Sequence, residues 1–509
     1  MRSIFRLTKR LLGSRLARVV YASVILTSVS LVSIFHARPR VWAVDEVPVA
    51  FWAWRTQSPE KADIQAAVEK AKAQVLFLRA GQIDYQDGKL RRIRPLTGSV
   101  PKGIKLHLVY NTTRAVLEQL ESIDSQSLAN EITATFQEDS ERAKRDGADV
   151  KGLQLDIDFP TRLLTRYERT LSALRPLLPP HTELSITGLP TWMDSPALNG
   201  VLHNVDFWVP QFYGGEIPAQ SSQMVAISSA ESITYFVNKA RQLDRPFYAG
   251  LAAYSVALLY NASGSLISLR GDMNPAVIVA DPNLEMIDQR SFGSAERRYA
   301  FRARASGVTD GLNMRAGDVL VIDLPGSETL RTAARIVRRL AGQKLLGICV
   351  FRLPVSDDAA TLTLEQVTNG LNDQESQPAI YVRLKRQVQS KNPHSFIVEM
   401  RNAGTVGPIM GSLNVDLIVP AGSFEGITAG HGVSVQPLCG RGSLPCSERR
   451  ADMIRVGVDF LAPGQTLTTT LLLNRDLPET TGISVAMQTE TGQSYSVQNE
   501  IPIEAGVSK

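Results

Sequence analysis

The sequence predicts an α/β barrel of the (β/α)8 kind, followed by an all-β sandwich. From Val47 to about Leu371, eight short apolar segments alternate with amphipathic stretches of helical period. A doubly wound sheet is the alternative fold for such a pattern. Eight near-equal units and the lack of a Gly-rich phosphate loop favour the barrel. Beyond Asn372 the helical patterns stop and only alternating strand patterns remain.

The barrel domain is predicted over residues 46–371. Its strands are the short apolar segments 47–54, 73–80, 104–111, 150–159, 183–190, 205–213, 246–255 and 345–354. About 90 residues separate the last two strands, which is too long for one helix and its loops. An inserted subdomain is therefore predicted at about 261–328, with "PAVIVAD", "RRYAFRARA" and "DVLVIDLP" as extra strands.

The C-terminal part, residues 379–505, follows the polar linker "LNDQESQPA". Six or seven alternating segments with Gly, Pro and Asn turns between them predict a sandwich of immunoglobulin-like type. This part holds no Trp and no cluster of His or carboxylates, so it is interpreted as a spacer or an interaction module.

The N-terminal residues 1–43 are predicted to form a targeting segment. Basic residues precede an uncharged apolar run at 19–35, which is short for a membrane span and long for a signal peptide. A cleaved signal peptide, with a small-residue site at 41–43, and a retained membrane anchor both stay open, and a buried core helix is the third alternative. We expect an exported protein, periplasmic or anchored in the inner membrane, with its body outside the cytoplasm.

Charge and cysteine content narrow the function classes. Residues 1–40 contain eight Lys and Arg residues and no acidic residue. Without these residues the formal net charge of the chain changes from +5 to −3. The rest of the chain therefore lacks the basic surface that nucleic-acid binding requires. Of the three cysteines, Cys349 is predicted to be a core thiol. Cys439 and Cys446 are predicted to form a local disulfide, and half a metal site is the weaker alternative because no second ligand pair is near.

The end of the fourth strand, "KGLQLDIDFP", carries paired acids. Side chains alternate along a strand, so Asp156 and Asp158 share one face with Gln154. Active sites of such barrels lie at the C-terminal ends of the strands. The pair is interpreted as a catalytic site, with a structural salt bridge to Arg79 or Arg352 as the alternative.

Other polar and aromatic side chains are predicted at the same mouth. By alternation, Gln211 and Tyr213 end the sixth strand, and Tyr254 ends the seventh. Trp52 and Trp54 end the first strand, and Trp192 lies near the end of the fifth. Flat aromatic faces beside acids, amides and phenols suit sugar rings, although a core role for each aromatic is the alternative. The histidines are scattered and form no H-E-x-x-H motif, so no metal site is predicted. The sequence also has no G-x-S-x-G motif and no P-loop, and no cofactor is predicted.

Four segments, "GLQLDIDF", "VDFWVPQFYG", "GLAAYS" and "GICVFR", resemble strands of the chitinase-like glycoside hydrolase barrels. That resemblance implies a D-x-x-D-x-D-x-E run, with Leu153 and Pro160 in place of its first Asp and its catalytic Glu. It also implies that Phe351 takes the place of a Trp. Over the whole barrel, "FWAWR", "LQLDIDFP", "LSITGLPTWM" and "VPQFYGG" resemble the domain of unknown function numbered 3142.

The expected function is action on, or binding of, an envelope glycan. In the enzyme hypothesis Asp158 is the general acid and Asp156 orients the substrate or tunes its neighbour. In the alternative hypothesis the barrel binds glycan, or serves the envelope structurally, without turnover. The predicted substrate-binding residues are Trp52, Trp54, Arg79, Trp192, Gln211, Tyr213, Tyr254, Phe351 and Arg352.

Overall fold

The computed structural model describes residues 41–505 except 215–216, 224–226, 293–295, 389, 429, 431 and 441–443. The predicted targeting segment lies outside these residues, apart from its last three. Among the residues described, no helix combines the length and the apolar composition needed to cross a bilayer.

The predicted (β/α)8 barrel is confirmed. The first strand pairs in parallel with both the second and the eighth, which closes the sheet. The eight parallel strands, called the first to eighth barrel strands below, are Val49–Ala53, Ala73–Gln86, Lys105–Thr112, Asp149–Asp156, Glu183–Gly188, Phe207–Pro210, Phe247–Ala252 and Leu345–Phe351. The second strand is longer than predicted because it continues into a hairpin with Lys89–Ile93.

Helices cover the outside of the barrel. The longest, Ser125–Arg145, begins where the Asp124 side chain accepts a hydrogen bond from Ser127 N at 2.9 Å, and it has three basic residues in its last turn. The other barrel helices are Lys61–Lys70, Arg114–Glu118, Leu164–Leu174, Leu198–His203, Ala230–Gln242, Ser327–Leu340 and Leu364–Leu371.

The insertion before the eighth strand is a five-stranded antiparallel sheet with a short helix and a separate hairpin. Its strands, in sheet order, are Leu266–Arg270, Val256–Tyr260, Val319–Leu324, Glu296–Ala303 and Leu284–Phe292, and the hairpin pairs Gly307–Thr309 with Leu312–Met314. The sheet begins at Val256, earlier than predicted. The prediction of a strand for "PAVIVAD" is wrong, because Pro275–Val279 is helical. The Asn274 side chain caps this helix and Pro275 occupies its first turn.

The C-terminal domain is all-β, as predicted. Its strands are Ile380–Arg386, Ser395–Asn402, Leu413–Ile418, Phe424–Thr428, Val433–Cys439, Leu444–Pro445, Met453–Val458, Thr466–Leu473, Thr480–Gln488 and Ser494–Glu504. The last strand joins the two halves, since it pairs antiparallel with Thr480–Gln488 and in parallel with Ile380–Arg386. Inward residues of both halves form one apolar core. Cys439 and Cys446 are joined by a disulfide in this domain.

Two apolar layers build the barrel. Residues that point outward, such as Leu153 and Leu155, form the main core against the helices. Residues that point inward form a smaller cluster that includes Trp52, Phe77, Phe207 and Cys349. The inward positions at the C-terminal ends of the strands are polar, and they form the mouth described next.

Candidate active site

The two acids lie at the mouth of the barrel. Asp156 is the last residue of the fourth strand, and Asp158 follows two positions later. Gln154, one inward position below, is completely buried, whereas Asp158 is exposed to solvent. The side-chain alternation predicted for this segment therefore leads from the buried interior out to the mouth.

Asp156 is anchored by a single hydrogen bond. Thr187 Oγ1, on the neighbouring fifth strand, donates to Asp156 Oδ1 at 2.7 Å. Burial, and then the negative charge of Asp158, raise the pKa of Asp156 to about 7, against the lowering effects of the Thr187 bond and of Arg79. A carboxyl group whose pKa is raised this far can hold a proton near neutral pH.

Asp158 has no hydrogen bond of its own in the described part of the chain. The surrounding protein removes enough water to raise the pKa of Asp158 as well. At i and i+2 the two acids are about 6.6 Å apart at Cα, so their carboxyl groups can share a ligand from the same side.

The predicted alternative, a salt bridge from the acids to an arginine, is not formed among the described residues. Arg352 instead binds Asp358, with Nε donating at 2.8 Å and Nη2 at 3.0 Å. Arg79 Nη1 donates to the Trp54 carbonyl oxygen at 3.2 Å. The two acids therefore lie in the mouth without a cation in direct contact.

Trp52 forms the floor beneath the acids. Its Nε1 donates to Gln154 Oε1 at 2.6 Å, and Gln154 Nε2 donates to Ser185 Oγ at 3.4 Å. The Trp52 ring also packs against Phe351, with centroids 5.1 Å apart. This buried chain fixes the ends of the first, fourth and fifth strands relative to one another.

Three aromatic rings form the wall of the mouth. Tyr213 stacks on Phe351 with centroids 6.1 Å apart and an interplanar angle of 19°. Tyr254 meets Phe351 edge-on at 5.0 Å. Burial raises the pKa of Tyr213 well above its usual value and that of Tyr254 to about 12, so both phenols stay neutral and can donate hydrogen bonds. Gln211, half-buried, lies beside them at the end of the sixth strand.

Trp192 is not part of the mouth, and its predicted role in substrate binding is wrong. It is completely buried in the layer between the strands and the helices. Its Nε1 donates to the Phe159 carbonyl oxygen at 2.9 Å, and its ring meets Tyr167 edge-on at 5.9 Å. Trp192 therefore supports the loop that follows the acids.

Two polar residues of the mouth were missing from the sequence-based site. Thr187 lies two positions after Ser185 on the fifth strand, so inward alternation could have identified it. Asn111 is the last but one residue of the third strand and pairs in register with Asp156. Its Oδ1 is buried without a hydrogen-bond partner, which leaves an acceptor beside the acids.

A cleft of about 270 Å³ opens next to the mouth, between the loops that follow the first and eighth strands. Trp54, Arg55 and Arg352 line it, together with Asp357 and Asp358, while the two mouth acids do not. No cluster of three or more His, Cys, Asp or Glu side chains that could hold a metal ion occurs in the part of the chain described.

Several solved structures are similar to this chain. The Bacillus cereus spore cortex-lytic enzyme SleL is 13% identical, over 64% of this chain and 74% of that chain, with a TM-score of 0.41. A class V chitinase from Pseudomonas fluorescens Pf-5 is 15% identical, over 64% and 99%, with a TM-score of 0.42. A family GH18 chitinase from Chromobacterium violaceum is 11% identical, over 89% and 91%, with a TM-score of 0.38.

No curated protein matches the chain. A family model does match, over residues 113–290, which run from the end of the third barrel strand into the inserted sheet. The model is that of the domain of unknown function DUF3142, so the resemblance predicted from the barrel motifs is confirmed over this segment.

Proposed function

We propose that the barrel mouth binds a glycan and that Asp156 and Asp158 cleave it by acid-assisted hydrolysis. The observation that carries this proposal is a pair of acids in the mouth that contact no cation among the described residues, with the pKa of the half-buried Asp156 raised to about 7. A carboxyl group that keeps its proton near neutral pH can protonate a leaving oxygen. Burying it costs stability, which a purely structural role would not require.

The surrounding side chains fit a sugar. Phe351 and the tyrosines that pack on it supply apolar ring surface, while the Tyr213 hydroxyl and the Gln211 amide can bind sugar hydroxyls. The floor of Trp52 and Gln154 is fixed by a hydrogen bond of 2.6 Å, which keeps the mouth in shape before a ligand arrives.

The pKa of Asp156 is raised to about 7, that of Asp158 is raised too, and Asp156 is the less exposed of the two. Asp156 would therefore be the general acid, and the exposed Asp158 would stabilise the positive charge that develops on the sugar. The assignment predicted from the sequence, with Asp158 as the acid, is the competing one. The two assignments can be distinguished by the pH dependence of the hydrolysis rate. If Asp156 is the general acid, with a pKa of about 7, the rate should fall as the pH rises through 7.

Release of reducing ends from amino-sugar polymers tests hydrolysis. We expect Asp156→Asn and Asp158→Asn each to lower the rate by about 100-fold or more. Asp244→Asn is the matched control, because Asp244 is fully exposed in the loop before the seventh strand, at the opposite end of the barrel. Equal rates in the wild type and both mouth variants would overturn the catalytic proposal.

Binding without turnover is the second candidate, and Pro160 favours it. Pro160 stands where the resemblance to chitinase-like barrels implies a catalytic Glu, and it cannot transfer a proton. Calorimetry separates the two candidates, since heat of binding without new reducing ends supports this one. Tyr213→Phe should weaken binding while keeping the ring stack, and Tyr235→Phe, on an outer helix, should not.

Export of the protein is a separate proposal that rests on the basic and apolar leader. The disulfide between Cys439 and Cys446 is compatible with an oxidising compartment. Cell fractionation and the mass of the recovered protein test it. A membrane or soluble envelope fraction is expected, whereas a cytosolic protein with an intact N-terminus and free thiols would contradict it.

A further inference from the structure

Arg79 is a buried cation without a carboxylate partner in the described part of the chain. It lies on the second barrel strand, pairs in register with the inward-facing Val109, and is only 9% exposed. Its Nη1 donates to the Trp54 carbonyl oxygen at 3.2 Å, and its Nε is buried with no hydrogen-bond partner. Buried arginines are normally paired, because an unmatched buried charge is costly.

Arg352, the neighbouring arginine of the mouth, has a carboxylate partner. Arg352 binds both carboxylate oxygens of Asp358, and its Nη1 donates to the Gly271 carbonyl oxygen at 2.7 Å. Trp54 lies between the two cations, with its ring centroid 5.2 Å from Arg352 Cζ and 6.0 Å from Arg79 Cζ. The ring lies close to both guanidinium groups, but Arg352 donates three hydrogen bonds and Arg79 donates one among the described residues.

The local charge at Arg79 is positive. Burial and the nearby positive charge of Arg94 lower the pKa of Arg79, and Asp156 opposes them. The pKa of Asp156 is itself raised to about 7, mainly by burial. Protonation of Asp156 removes the negative charge that opposes these effects, which favours an anionic ligand at Arg79.

We propose that Arg79 recognises a carboxylate on the glycan, so that the mouth selects acidic over neutral sugars. This inference rests on the proposed glycan binding and adds the substrate class. A guanidinium matches the two oxygens of a carboxylate, and the Nη groups of Arg79 have one acceptor among the described residues, the Trp54 carbonyl oxygen. Asp158, which faces solvent from the fourth strand, would then meet the sugar bond rather than the acidic group.

Calorimetric titration of three oligosaccharides of equal length tests the inference. The first is neutral N-acetylglucosamine, the second a peptide-free strand with lactyl carboxylates, and the third a hexuronate. We expect at least one acidic ligand to bind about 10- to 100-fold more tightly than the neutral one, and the comparison of the two acids identifies the source of the carboxylate. The preference should shrink as salt is raised.

Two variants assign the preference to Arg79. Arg79→Gln should abolish the preference for acidic over neutral sugars, and Arg79→Lys, which keeps the charge but loses the planar guanidinium, should retain part of it. The matched control is Arg145→Gln, an exposed arginine at the C-terminal end of an outer helix. If Arg79→Gln does not fold, the Lys variant still decides, because an unchanged preference would contradict the proposal.

The possible failures are distinguishable. Equal affinity of the wild type for neutral and acidic sugars would overturn the role of Arg79 and leave the proposed glycan binding intact. A preference that survives in Arg79→Gln would also overturn it. Absence of binding by all three ligands would remove the proposed function and this inference together.

Discussion

Replacing Asp156 with Asn should stabilise the protein at alkaline pH. The folded-state pKa of Asp156 is about 7, above its ordinary value of 3.8, so the folded protein binds a proton that the unfolded chain has already released. The stabilisation from that proton is fully present below pH 3.8 and is lost as the pH rises through 7. The Asn side chain cannot ionise, and its oxygen can still accept the hydrogen bond from Thr187.

The change in the free energy of unfolding can be calculated from the difference between the folded-state and unfolded-state pKa values of Asp156. Each pH unit between the two pKa values changes the free energy of unfolding by about 1.36 kcal/mol, so Asp156 makes the wild type lose about 3 kcal/mol between pH 5 and pH 8. The variant should lack this loss. The measurement is urea unfolding, followed by circular dichroism, of both proteins at several pH values in that range.

The difference between the two pH profiles isolates Asp156, because every other titrating group is common to both proteins. Asp158→Asn should show part of the effect, since it removes the negative charge that helps to raise the Asp156 pKa. Asp244→Asn should follow the wild type. Parallel profiles for the wild type and Asp156→Asn would refute the claim that Asp156 is buried with a raised pKa.

Three further predictions concern stability elsewhere in the chain. Burial raises the pKa of Glu490 to about 7 from 4.5, so Glu490→Gln should remove a loss of about 3 kcal/mol that the wild type shows between pH 4.5 and 8; an unchanged unfolding profile would contradict this. Arg298→Met should destabilise the protein by about 3–5 kcal/mol, because it leaves Asp323, bound at 2.6 Å, as an unpaired buried charge. The double variant Arg298→Met, Asp323→Leu should regain most of the lost stability. A double variant as unstable as Arg298→Met alone would contradict the claim that the unpaired charge of Asp323 causes the destabilisation. Replacing Cys439 and Cys446 together by Ser should cost about 2–3 kcal/mol through the entropy of the opened loop, measured by urea unfolding under non-reducing conditions. Equal stability with and without the disulfide would contradict this estimate.

The barrel could be predicted because its strands are short, apolar and regularly spaced. Each predicted barrel strand overlaps an observed one, and the polar ends of the strands lie together at one mouth, as barrel geometry requires. The helix Pro275–Val279 was missed because "PAVIV" is apolar and β-branched. The cap from Asn274 and the position of Pro275 outweighed that intrinsic preference.

The candidate site was predicted in part. Strand alternation places Asp156 and Gln211 correctly, because it depends only on the period of two. Trp192 was misplaced because it lies in a turn after the fifth strand, where no period indicates the direction of a side chain. The lack of a carboxylate partner for Arg79 among the described residues could not be predicted, because alternation gives the direction of a side chain but not its partners.

A crystal structure of the wild type with a bound acidic oligosaccharide tests the central claim most directly. Our account predicts a sugar in the barrel mouth, within hydrogen-bond distance of Asp158 and the Tyr213 hydroxyl and against the Phe351 ring. The carboxylate of the sugar should contact Arg79. An ordered sugar found only in the cleft beside Trp54 or on the C-terminal domain, or a mouth that stays empty at saturating ligand concentration, would contradict the account.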